Sequence, residues 1–372
     1  MKSIFFSVLL FTLKSFGQKN IEFNSLEKAL KNPSFVKTLD LSEQNLKRLP
    51  ATITRLTNLK ELDLGSNPNL DLAQAFNLLR NLKHLKSLSL DECKLKTLPE
   101  NVAQLENLED LSVRNNLFSI FPDQIKNLRR LRYVDFFSNE IKSLSFKKED
   151  LPSLIYIDLC YNKFEVFPVE LSVLKNLKRI RIWYNSISEI PNSIINFSCI
   201  EEIILEHNKI VHLPIRLSAL KSLKILDLRD NQLTASTINP IFEITSLKTL
   251  DLQGNNIEYI PEKIKQLKNL RYFSVCDNPL KDLPNELSLL KNIYQLGLGD
   301  LHDLNWTQAF SIMQKLPDLR RVGMYTMDLS KMPIGFDKLQ QVRIFWLTYN
   351  SFDFEEQKRI RAMVPKAKID FN

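Results

Sequence analysis

Glycine is scarce in this chain, at seven of 372 residues, and its scarcity excludes several functions. No glycine-rich loop is present to cradle a phosphate, and no Gly/Ser or acidic run marks a linker. The chain reads as one continuous body without a hinge. Histidine is as rare: His84, His207, His212 and His302 fall at unrelated places, so no metal set emerges, and neither a metal nor another cofactor is expected. Past the first residues, no apolar run approaches the roughly 20 residues that span a bilayer. Charge is not concentrated either. The 51 basic and 43 acidic side chains, a formal +8, are spread along the chain, whereas nucleic-acid binding calls for a basic stripe, so nucleic acid is not an expected partner.

The opening MKSIFFSVLLFTLKSFGQ has Lys2, an apolar run from Ile4 to Leu13, and the small residues Ser15 and Gly17 two apart. That layout is expected for a secretory signal occupying residues 1–17, with Lys14 as its one irregularity. Its removal takes away two lysines and leaves a formal +6. No cysteine follows the run to take a bacterial lipid anchor.

What the chain has in abundance is a frame, L-x-x-L-x-L-x-x-N-x-L-x-x-L-P. Its first position falls on Val36, Leu59, Leu85, Leu108, Leu131, Leu154, Leu177, Ile200, Leu223, Leu247, Leu270, Ile293, Leu319 and Val342, fourteen copies mostly 23 residues apart. Position 9 is asparagine in ten of them, and Cys93 takes that place in the third. A buried amide there is suited to backbone groups left over where the chain turns. Nine prolines, from Pro50 to Pro333, follow the apolar residue at position 14 and set φ where a new segment begins.

This frame resembles the leucine-rich repeat, and copies such as LPENVAQLENLEDL are similar to its 23-residue subclass, found in Ras-suppressor-like, plant intracellular and bacterial secreted proteins. The resemblance covers residues 36–353. It implies an α/β fold, a horseshoe solenoid with about fourteen parallel strands on its concave face, stacked because one copy cannot bury its leucines alone. Residues 18–35 and 354–372 are expected as N- and C-terminal helical caps. In the first, Asn24 stands three residues ahead of Glu27, like a capping box. The second reads as a helix ended by Pro365 and a short strand.

Two copies are 26 residues long, and both carry Gln-Ala-Phe (74–76 and 308–310) before apolar residues at helical spacing. A true helix is expected in each, with irregularity in copies twelve and thirteen, where Leu301 and Met327 replace the asparagine. Strands about 4.8 Å apart separate the nearest two of Cys93, Cys160 and Cys276 by roughly 14 Å. A disulfide needs Cα atoms within about 7 Å, and Cys199 enters its strand from the other edge, so four free thiols are expected.

In this fold the x positions of each strand face the concave surface. Position 2 is Lys or Arg in ten copies and position 5 is Asp in six, a charge ladder expected to be solvated. Copies five to nine differ. Phe137, Tyr161, Trp183 and Tyr184 fall in adjoining rows with Arg181, His207 and Arg229 around them, and position 5 loses its Asp to Arg181 and Ile204. Exposed Trp, Tyr and Arg clusters characterise interfaces, while packing of aromatics across parallel strands is the rival account. A looser group, Tyr272, Tyr294, Tyr325, Trp346 and Tyr349, lines the last strands.

No catalytic set stands out. Cys160 and His207 lie two strands apart, near 10 Å, beyond the hydrogen-bond reach that an activated nucleophile needs. The expectation is a non-enzymatic, secreted or cell-envelope protein that binds a protein, or a glycan, through Phe137, Tyr161, Arg181, Trp183, Tyr184, His207 and Arg229. The alternative keeps the fold and makes it an intracellular scaffold for a signalling protein such as a small GTPase.

Overall fold

A computed structural model describes residues 23–371, so the expected signal at residues 1–17 and part of the N-terminal cap lie outside the described residues. The described chain divides into two compact units, residues up to 117 with 122–135, and residues 118–121 with 136 onward. This departs from the single body expected from the sequence. The division falls at the fifth copy, whose position 14 is followed by Ser145 instead of proline, and no helix of any kind forms between Tyr133–Asp135 and Tyr156–Asp158.

The first unit holds α1 (Leu26–Ala29) and five strands, β1 (Thr38–Asp40), β2 (Glu61–Asp63), β3 (Ser87–Ser89), β4 (Asp110–Ser112) and β5 (Tyr133–Asp135), with α2 (Leu72–Leu79) between β2 and β3. Each strand pairs in parallel with the next. The second unit holds β6 (Tyr156–Asp158), β7 (Arg179–Arg181), β8 (Glu202–Ile204), β9 (Ile225–Asp227), β10 (Thr249–Asp251), β11 (Tyr272–Ser274), β12 (Gln295–Gly297), α3 (Trp306–Met313), β13 (Arg321–Gly323), β14 (Ile344–Trp346), α4 (Phe354–Met363) and β15 (Lys368–Asp370). Its strands also pair in parallel in chain order.

The frame explains these elements. All fourteen first positions are buried, as are the position-4 and position-6 residues, so every copy contributes apolar side chains to its unit's core. Each asparagine closes a turn with one amide. Asn208 donates from Nδ2 to the carbonyls of Ile182, Leu205 and Glu206, and its Oδ1 accepts from the Ile187 N–H. At Cys93 the thiol donates to the Leu64 and Asp91 carbonyls, taking over the donor half of that role. Eight of the nine prolines stand directly before a 3-10 helix, where a missing N–H costs nothing. In most, the proline carbonyl accepts the first bond, as Pro99 does from Val102 N–H at 3.1 Å.

The 26-residue copies do form α-helices, capped by Asp71 and Asn305, whose side chains accept from the N–H of Gln74 and Gln308. These glutamines then reach back to the preceding copy. Gln74 accepts from the Leu49 N–H and donates to the Leu49 carbonyl, and Gln308 does the same at Leu283. At the N-terminal end, α1 is only four residues long and is led by Ser25 without a side-chain cap bond, so the capping box expected at Asn24 does not form. Phe23 instead bridges to Leu39 beside β1. At the other end α4, capped by Asp353, precedes β15, which pairs with β14.

Candidate binding surface

Position 8 of the frame carries the surface of interest, and its backbone is unusual. In all fourteen copies this residue has a positive φ, between 50 and 63°, and only Gly254 is a glycine. The left-handed turn lifts the chain off the strand after position 7. Bulky side chains rarely tolerate it, yet Tyr161 (φ 53°) and Tyr184 (φ 51°) occupy it in neighbouring copies.

With them, five rings come together within the second unit. The Tyr161 and Tyr184 rings stack at 4.5 Å and 10°, Trp183 meets both edge-on at 4.9 and 5.2 Å, and Phe137 lies 5.0 Å from Tyr161 and 5.8 Å from Trp183. The His207 imidazole continues the row, 4.1 Å from Tyr184. Tyr161 and Tyr184 remain 41% exposed, while Phe137, Trp183 and His207 are half-buried. The sequence rows thus do assemble into one cluster, open on its outer side.

Cys160 does not join that surface. Position 7 was expected to face outward, but its side chain is fully buried and its backbone N–H donates to Asp158. Burial first, then the Asp158 carboxylate, pushes the thiol well above its ordinary value, so it offers no thiolate.

The arginines are also committed inside the protein. Arg181 lies over the Tyr156 ring at 5.6 Å and donates to Glu202 at 3.2 Å. Arg229 sits among three carboxylates. Its Nη2 meets Glu206 at 2.6 Å and Asp227 at 2.7 Å, its Nε reaches Asp227 at 3.0 Å, and Asp251 stands 3.8 Å away. Asp227 and Asp251 are almost wholly buried, and burial raises the Asp251 carboxyl to about 7 despite Arg229 and a 2.8 Å bond from the Tyr272 hydroxyl. Burial likewise raises Glu206 to about 7.

The position-5 aspartates form the solvated ladder expected from their spacing only in part, since Asp158, Asp227 and Asp251 are buried while Asp40, Asp63 and Asp135 are half-buried. Asp40, Asp63, Asp158, Asp227 and Asp251 each accept the N–H two residues on, which closes the strand end. Arg181 and Ile204 break that pattern beside Trp183 and Glu206, in the middle of the ring cluster.

The looser C-terminal group does not form a comparable surface. Tyr325 is buried flat over Gly299, where an added Cβ would come within 2.5 Å of its ring, and its hydroxyl meets Cys276 Sγ at 3.2 Å. Tyr349 alone in that group is more than half exposed.

Sequence reasoning missed the left-handed positions, the carboxylates around Arg229 and the burial of Cys160. Position 8 held a signal for the first, since Asp, Ser, Asn or Gly stands there in seven of the fourteen copies. Nothing in the spacing distinguished Cys160 from Trp183, which share position 7.

Comparison with known proteins agrees with this architecture. Residues 175–233 match the family described as leucine rich repeat, and residues 245–292 match leucine rich repeats in two copies. A search of curated proteins finds no match. Among solved structures, a leucine-rich-repeat protein of Leptospira interrogans is 29% identical, with a TM-score of 0.74 over 95% of this chain and all of that one. A plant peptide hormone receptor, RGFR1, in complex with RGF2 is 22% identical, with a TM-score of 0.57 over 90% of this chain and 58% of that one. An internalin of Listeria monocytogenes is 18% identical, with a TM-score of 0.53 over 91% and 88% of the two chains. The last two share the fold alone. Frame, strands, asparagine turns and these likenesses agree: the chain is a leucine-rich-repeat protein.

Proposed function

We propose that the chain is a non-catalytic, secreted or cell-envelope binding protein that docks a protein partner on the ring cluster around Tyr184. Leucine-rich-repeat proteins generally mediate protein binding, and the plant receptor is an instance bound to RGF2. One observation carries the reading here. Two adjacent tyrosines occupy left-handed backbone, where Asp, Asn or Gly is the easier fit, and their rings stack yet stay exposed. A residue type that opposes its local backbone, without being buried in return, points to selection by something outside the chain. The loss of the position-5 aspartate at Arg181 and Ile204 adds a second local irregularity at the same place.

Binding would use rigid display. Rings held by one another lose little freedom when a partner arrives, which lowers the ordering cost of association. Partner pull-down with wild type beside a Trp183→Ser/Tyr184→Ser variant tests this, and a partner retained equally by both places the contact elsewhere. A glycan that competes for the captured partner's site would move the reading to sugar recognition. Secretion rests on the layout of residues 1–17, and mass spectrometry of the exported protein should find Gln18 at its N-terminus. Recovery of a cytosolic protein beginning at Met1 would favour the intracellular scaffold instead.

A further inference from the structure

The row of rings ends in a set of charged groups that neither the fold nor the aromatic surface requires. Glu206 and His207 are consecutive on one copy, and Asp230 stands at the equivalent of His207 on the next. His207 Nε2 lies 3.1 Å from Asp230 Oδ2 and 3.6 Å from Glu206 Oε1, and all three donor atoms fall within 4.8 Å of one another. From these distances we propose that Glu206, His207 and Asp230 form a binding site for a divalent transition-metal ion such as Zn2+, open toward the aromatic cluster.

Geometry supports the assignment first. Nitrogen and oxygen ligands bind Zn2+ at about 2.0–2.2 Å, which places neighbouring ligand atoms roughly 3.0–3.5 Å apart in octahedral or tetrahedral arrangements. Both contacts of His207 lie close to that spacing. Both carboxylates also face the same nitrogen. His302 provides a contrast, because Asp300 meets its Nε2 while Asp328 faces its Nδ1, and two nitrogens of one imidazole cannot bind one ion.

The surroundings brace the three ligands. Arg229 holds the other oxygen of Glu206 at 2.6 Å, leaving Oε1 turned to His207. The imidazole is fixed from one side by the Tyr184 ring at 4.1 Å. Such outer contacts orient ligands and typically alter metal affinity by about 10- to 100-fold. The side chains of the three ligands are 20–33% exposed, so an ion can enter and its remaining positions would face solvent beside Tyr184.

The test is calorimetric titration of the purified, metal-free full chain with ZnCl2, repeated on His207→Ala, Asp230→Asn and His302→Ala, with Co2+ absorption as an independent report on the ligands. We expect one ion per chain, affinity lowered at least about tenfold in the first two variants and unchanged in the third. The Co2+ bands should lose intensity in His207→Ala. Circular dichroism establishes that each variant is folded, and Asp230→Asn, which keeps size and shape, covers the case where His207→Ala does not fold. No saturable uptake, or uptake that survives both substitutions, overturns the proposal, as does loss confined to His302→Ala. Because the probe is the metal alone, this outcome is separate from whether a protein partner uses the rings.

Discussion

Replacing Tyr184 by asparagine separates a surface anchor from a packing residue. Its backbone φ of 51° costs a bulky L-residue about 1–2 kcal/mol that asparagine largely avoids. Against this, asparagine gives up three ring pairs: the tyrosine ring stacks on Tyr161 at 4.5 Å, meets Trp183 edge-on at 5.2 Å and lies 4.1 Å from His207, and such pairs contribute roughly 0.5–1.5 kcal/mol each. The side chain is 41% exposed, so little further apolar burial is forfeited. The backbone gain offsets about half of that loss, and the variant should lower the unfolding free energy by roughly 1–2 kcal/mol. Urea denaturation followed by circular dichroism measures this, with Ile180→Ala as a fully buried control expected to lose about 2–5 kcal/mol. A loss for Tyr184→Asn as large as that of the control would mean that the ring is part of the core.

Asn208→Ala removes four hydrogen bonds and leaves the buried Ile187 N–H without its acceptor, so a loss of roughly 2–4 kcal/mol is expected in the same assay; a loss below about 1 kcal/mol would show that water replaces the amide. Burial raises Asp251 above its unfolded value near 3.9, so the folded chain holds a proton there that the unfolded chain has released. Its contribution therefore falls as pH rises from about 4 through about 7, and Asp251→Asn should flatten that part of the curve of thermal midpoint against pH, whereas an unchanged slope would assign it to other groups. Cys93, Cys160 and Cys276 are buried and Cys199 is exposed, so a thiol reagent should modify one cysteine quickly in the native protein and all four in denaturant. Fast native modification of Cys160 would contradict its burial.

Much of the fold was legible because a repeat is read many times. Fourteen copies average out local exceptions, so the strands, the asparagine turns and the two helices marked by Gln-Ala-Phe followed from spacing alone. Departures came where one residue's direction mattered. Trp183 and Cys160 hold the same position, yet one ring is half-exposed and one thiol is buried, a difference that the repeat frame does not encode. The aspartates at position 5 looked like solvent charges because their partner is a backbone N–H, which no side-chain pattern displays. Arg229 looked like a rim residue for the same reason: its three carboxylates come from three different copies, and only the strand register brings them together. The division into two units was invisible for another cause. It coincides with the absence of a proline after Leu144, a single missing letter in a frame that tolerates several.

The central claim, that a partner docks on the rings of the second unit, is tested most directly by photo-crosslinking. A benzophenone amino acid placed at Tyr184 should capture the partner, while the same probe at Ile215, exposed on the 3-10 helix Ile215–Ala219, should not. Crosslinking from Ile215 with none from Tyr184 would contradict the account.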